Sequence, residues 1–291
     1  MIDWPLQLAQ PLNRISDLVL EQIGNRPIVA VMVPPEPGNA AQRLRHLLDG
    51  LDINEIQPAG IVYASSTAMY GDHGGRIVNE DSPCLSQSPR ALARLDDESL
   101  LADWAQRRKD RFAVSLRLAG IYGPGRLPIE RLSDRGALLC PGVASPGNRV
   151  HVDDIVDAFL TVAQVIEAHD IENRDTYNRA HYDRITPYHV EDARERSDKP
   201  AIGGGALARF NVAARDHASY TQFVWWLADA LRRPRPPCTA NTERWSRDHP
   251  GLAAFLRDSK QIDSRRLRAL GWQPRFDDTP QGIQASLAEN Q

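Results

Sequence analysis

GIVYASSTAMYGDHGG, residues 60–75, decides the fold. Its opening run, Gly60 to Ala64, is apolar without alternation, which a strand shows when both faces of its sheet are covered. Ser65, Ser66 and Thr67 follow at once, then Tyr70, Gly71 and Asp72. Small hydroxyl residues at the end of a buried strand read as an active-site strand end.

Reading outward, the same kind of run recurs. IVAVMV at 28–33 is a short β-branched strand stopped by Pro34 and Pro35. NAAQRLRHLLDGL places Ala40, Leu44, Leu47 and Leu48 on one helical face, and the helix is expected to end near Gly50. A helix over 90–108, a strand at 112–119 (FAVSLRLA) and a helix from about 153 continue the alternation. Strands alternating with amphipathic helices predict an α/β fold with a doubly wound parallel sheet. Residues 167–200 are polar and aperiodic and read as an inserted loop. RFNVAA at 209–214 is a further strand, YTQFVWWLADALRR a helix that stops before PRPP, and DSRRLRAL a last helix ending at Gly271, with Asp263 or Ser264 as its cap. Trp225 and Trp226 lie mid-helix and read as core or interface aromatics. The expected organisation is a core over 1–165, a polar insertion over 166–208, and a remaining strand with a smaller C-terminal subdomain over 209–291.

Composition excludes several classes. The chain has 291 residues and a formal charge of -3, so no basic excess points to nucleic acid. No run is long enough to span a bilayer, and MIDWPLQLAQPLNR lacks the basic-then-apolar order of a signal peptide. A cytoplasmic location without membrane attachment is expected. Cys84, Cys140 and Cys238 are odd in number and far apart, so plain thiols are expected rather than a disulfide framework or a zinc site. His181, Asp183, His189 and Asp192 read as a solvated loop, because their spacing suits no metal. Gly203–Gly205 follow no strand and read as a flexible turn.

VYASSTAMYGD, RLAGIYGPGR at 117–126, RVHVDDIVDAFL at 149–160, and the pair FNVAA with SRRLRALGWQPRF together resemble the extended short-chain dehydrogenase/reductase family, the NAD-dependent epimerase/dehydratase group, over roughly residues 28–280. The resemblance implies a Rossmann-like sheet that binds a dinucleotide at its carboxyl edge. It also implies a Ser, a Tyr and a Lys, the last two spaced Tyr-x-x-x-Lys, that exchange a proton with the substrate. Ser66 falls at the serine position, with Thr67 beside it. Where the resemblance puts the tyrosine and lysine, this chain has Arg90 and Arg94, and a guanidinium that stays protonated cannot replace a phenol. A sub-group that resembles the family also carries Arg at the tyrosine position beside SSTxxYGD. The family's G-x-x-G-x-x-G turn is the other difference. Residues 1–27 contain one glycine, Gly24, and a β-α-β-α unit needs roughly twice that length. The Rossmann-like core is therefore expected to be N-terminally truncated, with a short strand and a helix left before residue 28.

The catalytic candidates are Ser66, Thr67, Tyr70, Arg90 and Arg94, and the substrate-binding candidates are Tyr122, Arg126 and His151. Each has a plainer reading. Ser66 and Thr67 would satisfy local backbone groups, Tyr70 would pack, and the arginines would pair with Asp97 or Glu98 on a solvated helix face. Tyr122 would pack in its turn, and His151 would support the helix that Asp153 and Asp154 begin. No cofactor is expected from the residues, while the resemblance implies NAD(P). Partners expected are a small anionic molecule in the cleft and, through the helices at 40–50 and 90–108, a second copy or a related chain. Three functions stay open: a binding or scaffold subunit, a cofactor-independent enzyme on an anionic or carbonyl substrate, and an oxidoreductase or epimerase that holds its dinucleotide unusually.

Overall fold

The structure is a computed structural model. It describes residues 26–34, 41–132, 137–183, 202–250, 253, 256 and 258–289, with side chains of 173–183 left aside. Four parallel strands form its main sheet in the order β1 (Ile28–Val31), β2 (Gly60–Ser66), β4 (Phe112–Leu118) and β8 (Leu207–Val212). β3 (Ile77–Val78) lies outside that sheet. β2 and β4 are buried along almost their whole length, as their unbroken apolar runs require. Their register pairs Gly60 with Phe112 and Ser66 with Leu118, so both strands end together at the carboxyl edge.

Alternate residues face opposite layers. Ile61 and Tyr63 pack with Leu44, Leu48, Leu101 and Trp104 from α1 (Gln42–Ile53) and α2 (Pro89–Gln106). Val62 and Ala64 pack on the other side with Ile155, Phe159 and Val162 of α3 (Val152–Asp183). This is an α/β Rossmann-like sheet, as the sequence predicts.

Short parallel pairs carry the rest of the chain. β5 (Gly120–Tyr122) pairs with β7 (Arg149–His151), β6 (Leu138–Leu139) with β9 (Cys238–Thr239), and β3 with β10 (Gln261–Ile262). Around them lie α4 (Tyr220–Ala230), α5 (Thr242–Asp248), α6 (Arg265–Ala269) and α7 (Thr279–Ala288). A separate small core joins Tyr122 and Leu127 to Phe223 and Leu227 of α4 and Ile283 of α7.

Four expectations are corrected. α1 runs through Gly50 to Ile53, because the Asn54 side chain donates to the Gly50 carbonyl at 2.7 Å and closes the helix one turn later. The stretch 167–183, read as loop, is helical. Asp170 explains part of this: although polar, it is buried and accepts from Arg26 at 2.9 Å, so a charged residue serves as an inward position. α7 was not foreseen. The fourth concerns the cysteines: Cys140 and Cys238 form a disulfide, with Cα atoms 4.9 Å apart, brought together by β6 and β9 from 98 residues apart, while Cys84 is free. The strand and helix expected before residue 28, and the His189 and Asp192 positions, lie outside the described residues.

Candidate functional site

The carboxyl ends of β2 and β4 open onto a cleft of about 370 Å³. Ser66, Thr67, Tyr122, Arg126, Asn148, Arg149, Phe223 and Lys260 are among the residues that line it. Ser66 ends β2 half-buried, and its Oγ accepts from the Ala68 backbone N–H at 3.1 Å as the cap of a single 3-10 turn, Thr67–Tyr70. Thr67 donates to the Leu118 carbonyl at 3.3 Å. Both residues line the cleft, and both hydroxyls are engaged by the local backbone.

Of the other catalytic candidates, none lines the cleft. Tyr70 is fully buried, donating to Asn211 Oδ1 at 2.7 Å and accepting from Arg117 at 2.9 Å; burial is the main reason its phenol is pushed up to about 12. Arg90 is exposed at the start of α2. Arg94, one turn later, donates to Tyr63 Oη at 2.9 Å and to the Ala64 carbonyl. The two guanidiniums therefore make no common fork. Nor is Asp97 or Glu98 on a solvated face: both are buried, Asp97 accepting from Tyr63 and Glu98 held by Arg117 at 2.7 Å and Arg209 at 3.1 Å. Burial alone would raise the Glu98 carboxyl, but the Arg117 hydrogen bonds and charge bring it below its ordinary value.

Tyr122 is buried in the cleft wall, edge-on to His151 and Phe223. Arg126 is exposed. His151 is buried outside the cleft, its Nε2 3.0 Å from Ser286 Oγ and its Nδ1 accepting from the Asp153 N–H, which fixes a neutral tautomer; burial lowers its pKa further. Asp154 serves less as a helix cap than as an acceptor for the Arg275 and Phe276 N–H groups, at 2.6 and 3.2 Å.

Two cationic residues that the sequence reading did not single out face the cleft. Lys260 is buried, donates to the Gly71 carbonyl at 3.0 Å and lies 3.9 Å from Asp258. Arg149, only 7% exposed, donates through one Nη to the Ala218 carbonyl at 2.7 Å, with Phe223 beneath its guanidinium. Burial lowers its pKa to about 10 against the pull of Asp216, which acts from beyond 4.0 Å. The nearest sequence signal was an arginine inside the apolar strand Arg149–His151, on the face that His151 shares.

The stretch after Ser66 has a structural use. Gly71 takes φ 69°, and a Cβ there would fall 2.7 Å from the Ser86 backbone nitrogen, so glycine is required. Asp72 accepts from the Gly74 and Ser259 N–H groups, at 2.9 and 3.0 Å, which hold its carboxyl below the usual range. Gly75 donates to the Ser259 carbonyl. Tyr70 to Gly75 thus knot the segment carrying Lys260 over the cleft.

Residues 40–179 match the NAD dependent epimerase/dehydratase family. That match falls just short of half of the chain. Protein YeeZ of Escherichia coli K12 is 32% identical over 134 residues, which are 45% of this chain and 44% of YeeZ, so the match spans less than half of either. A functionally unknown conserved protein from Silicibacter pomeroyi superposes with TM-score 0.61 at 24% identity, covering 90% of this chain and 77% of its own. UDP-glucuronic acid 4-epimerase from Bacillus cereus, in complex with NAD, gives 0.63 at 15% identity over 97% and 77%. The human epimerase family protein SDR39U1, with NADPH, gives 0.58 at 16% over 87% and 73%. At these identities the three structures establish the fold.

Among the described residues, no glycine-rich turn leads from a strand into a helix N-terminus, and the guanidinium of Arg94, where the resemblance puts a lysine, is held by Tyr63 and Ala64.

Proposed function

We propose that this protein is a ligand-binding or scaffold member of the epimerase/dehydratase family that keeps the cleft and does not use Ser-Tyr-Lys proton transfer. The observation that carries this is Arg94: it stands at the lysine position and is tied to Tyr63 and Ala64, away from the cleft. Tyr70 cannot substitute, since both its hydrogen bonds are spent in the core and burial favours the neutral phenol. Tryptophan fluorescence and thermal shift with NAD, NADH, NADP and NADPH test the reading. Saturable binding at micromolar cofactor would overturn it in favour of an oxidoreductase or epimerase.

A cofactor-independent enzyme is the second reading, favoured by Ser66 and Thr67 facing the same cleft as Arg149 and Lys260. For that reading, Ser66→Ala abolishes turnover of any substrate found. Association with a second copy or a related chain belongs to the proposal too: Met32, just after β1, the outermost strand of the sheet among the described residues, is 58% exposed. Mass photometry reads it directly. No helix among the described residues is long and apolar enough to cross a membrane. Cytoplasmic residence is also proposed, and the Cys140–Cys238 bond weighs against it, since thiols there are kept reduced. Trapping free thiols by alkylation at lysis decides between them.

A further inference from the structure

We propose that Arg149 anchors the singly charged carboxylate of a small organic ligand in the cleft, with the ligand's apolar part against Tyr122 and Phe223. This rests on the reading above only in taking the cleft as the ligand site.

A buried cation normally has an anion beside it, because an uncompensated charge inside a protein is costly. Arg149 is more than nine-tenths buried and faces the cleft, yet no described carboxylate oxygen lies within 4.0 Å of it. Its one described hydrogen bond runs to the neutral Ala218 carbonyl, leaving the rest of the donor fork unused. The position is built for the guanidinium. The Arg149 guanidinium carbon lies over the Phe223 ring, 4.5 Å from the centroid, a cation–π contact that supports it. Gly147 leaves it space: a Cβ there would sit 2.7 Å from both Nη atoms.

Charge selects a monoanion. Lys260 already has the Gly71 carbonyl and Asp258, and Arg126 is in solvent, so Arg149, which Asp216 reaches only from beyond 4.0 Å, is the buried cation of the cleft without an anion in contact. A planar carboxylate suits a planar fork. The volume of about 370 Å³ is at the small end of ligand sites, and its aromatic wall suits an apolar or ring-bearing body.

The test is calorimetric titration of the full chain with benzoate, with benzamide as the uncharged isostere and phenyl phosphate as the dianion. Benzoate is expected to saturate one site, benzamide to bind at least about tenfold more weakly, and phenyl phosphate no more tightly than benzoate. Arg149→Met is expected to lose benzoate affinity by at least about tenfold while keeping a cooperative thermal transition. Should it fail to fold, Arg149→Lys, which keeps the charge without the fork, is read the same way. Ala68→Trp, which fills the mouth from an exposed lining position, is expected to block benzoate with Arg149 intact.

Benzoate affinity kept without Arg149 overturns the proposal while leaving the cleft as a ligand site if Ala68→Trp still blocks. Benzoate kept in Ala68→Trp but lost with Arg149 overturns the proposal and the use of the cleft together. Benzamide equal to benzoate, phenyl phosphate tighter than benzoate, or no benzoate binding by the parent also overturns it. The dinucleotide titrations report on the proton-transfer reading independently of all these outcomes.

Discussion

Gly147 has no room for a side chain: a Cβ would fall 2.4 Å from the Ala218 carbonyl and 2.7 Å from the Arg149 guanidinium. Gly147→Ala is therefore expected to cost about 1–3 kcal/mol by overpacking, read as a lower urea midpoint at unchanged slope. Residues of this kind were poorly legible in the sequence. Ser66 could be placed because it closes an unbroken apolar strand, and its neighbour Thr67 with it. Arg149 could not, because its burial is made by Ala218 and Phe223, which arrive from one segment distant in sequence. Tyr70 shows the converse. It stands two residues from an Asp in a motif associated with chemistry, and tertiary packing turns its phenol inward onto Arg117 and Asn211.

At the scale of elements, one buried ionic cluster joins α2, β4 and β8. Glu98 of α2 accepts from Ser115 and Arg117 of β4 and from Arg209 of β8. Glu98→Gln leaves Arg117 inside the protein without its counter-charge and is expected to destabilise by about 3–5 kcal/mol in urea unfolding. Replacing Glu98 and Arg117 together by Leu and Met is expected to recover much of that loss, because the apolar pair needs no hydration. The plainer sequence reading of α2 pairs its arginines with Asp97 or Glu98 on a solvated face. Its helical period was right, but acidic side chains score as outward in any pattern reading, and here they meet arginines that point inward from buried strands. β2 and β4 were legible because seven-residue buried strands leave a continuous apolar signature. The two- and three-residue pairs were not, since so few positions hold no period. α7 had a readable start in Asp278-Thr279-Pro280, an aspartate of the cap-favouring type, although its side chain makes no cap hydrogen bond here, and a proline in the first turn.

For the whole molecule, acid sensitivity follows from two imidazoles. His151 and His217 are both held below 6.5 by burial. A base whose folded pKa is depressed binds fewer protons folded than unfolded within that gap, so stability is full above about pH 6.5 and is lost as pH falls through it. Urea midpoints measured from about pH 7.5 to about pH 5 are expected to fall less steeply in a His151→Gln/His217→Gln variant than in the parent. The disulfide contributes on the same scale. Its partners are 98 residues apart, and restricting so long a loop in the unfolded chain is worth at most roughly 4–5 kcal/mol. Dithiothreitol, or Cys140→Ser, is expected to lower the midpoint by a sizeable part of that amount, with no further effect of reductant on the variant. The same bond makes residues 140–238 a covalent ring. A single backbone cut inside the ring would leave two pieces that travel as one mass until reduced. The segment bearing Arg149 would then stay tethered to the rest of the fold at high effective concentration, so nicked protein could keep its cleft where a chain without the ring would come apart.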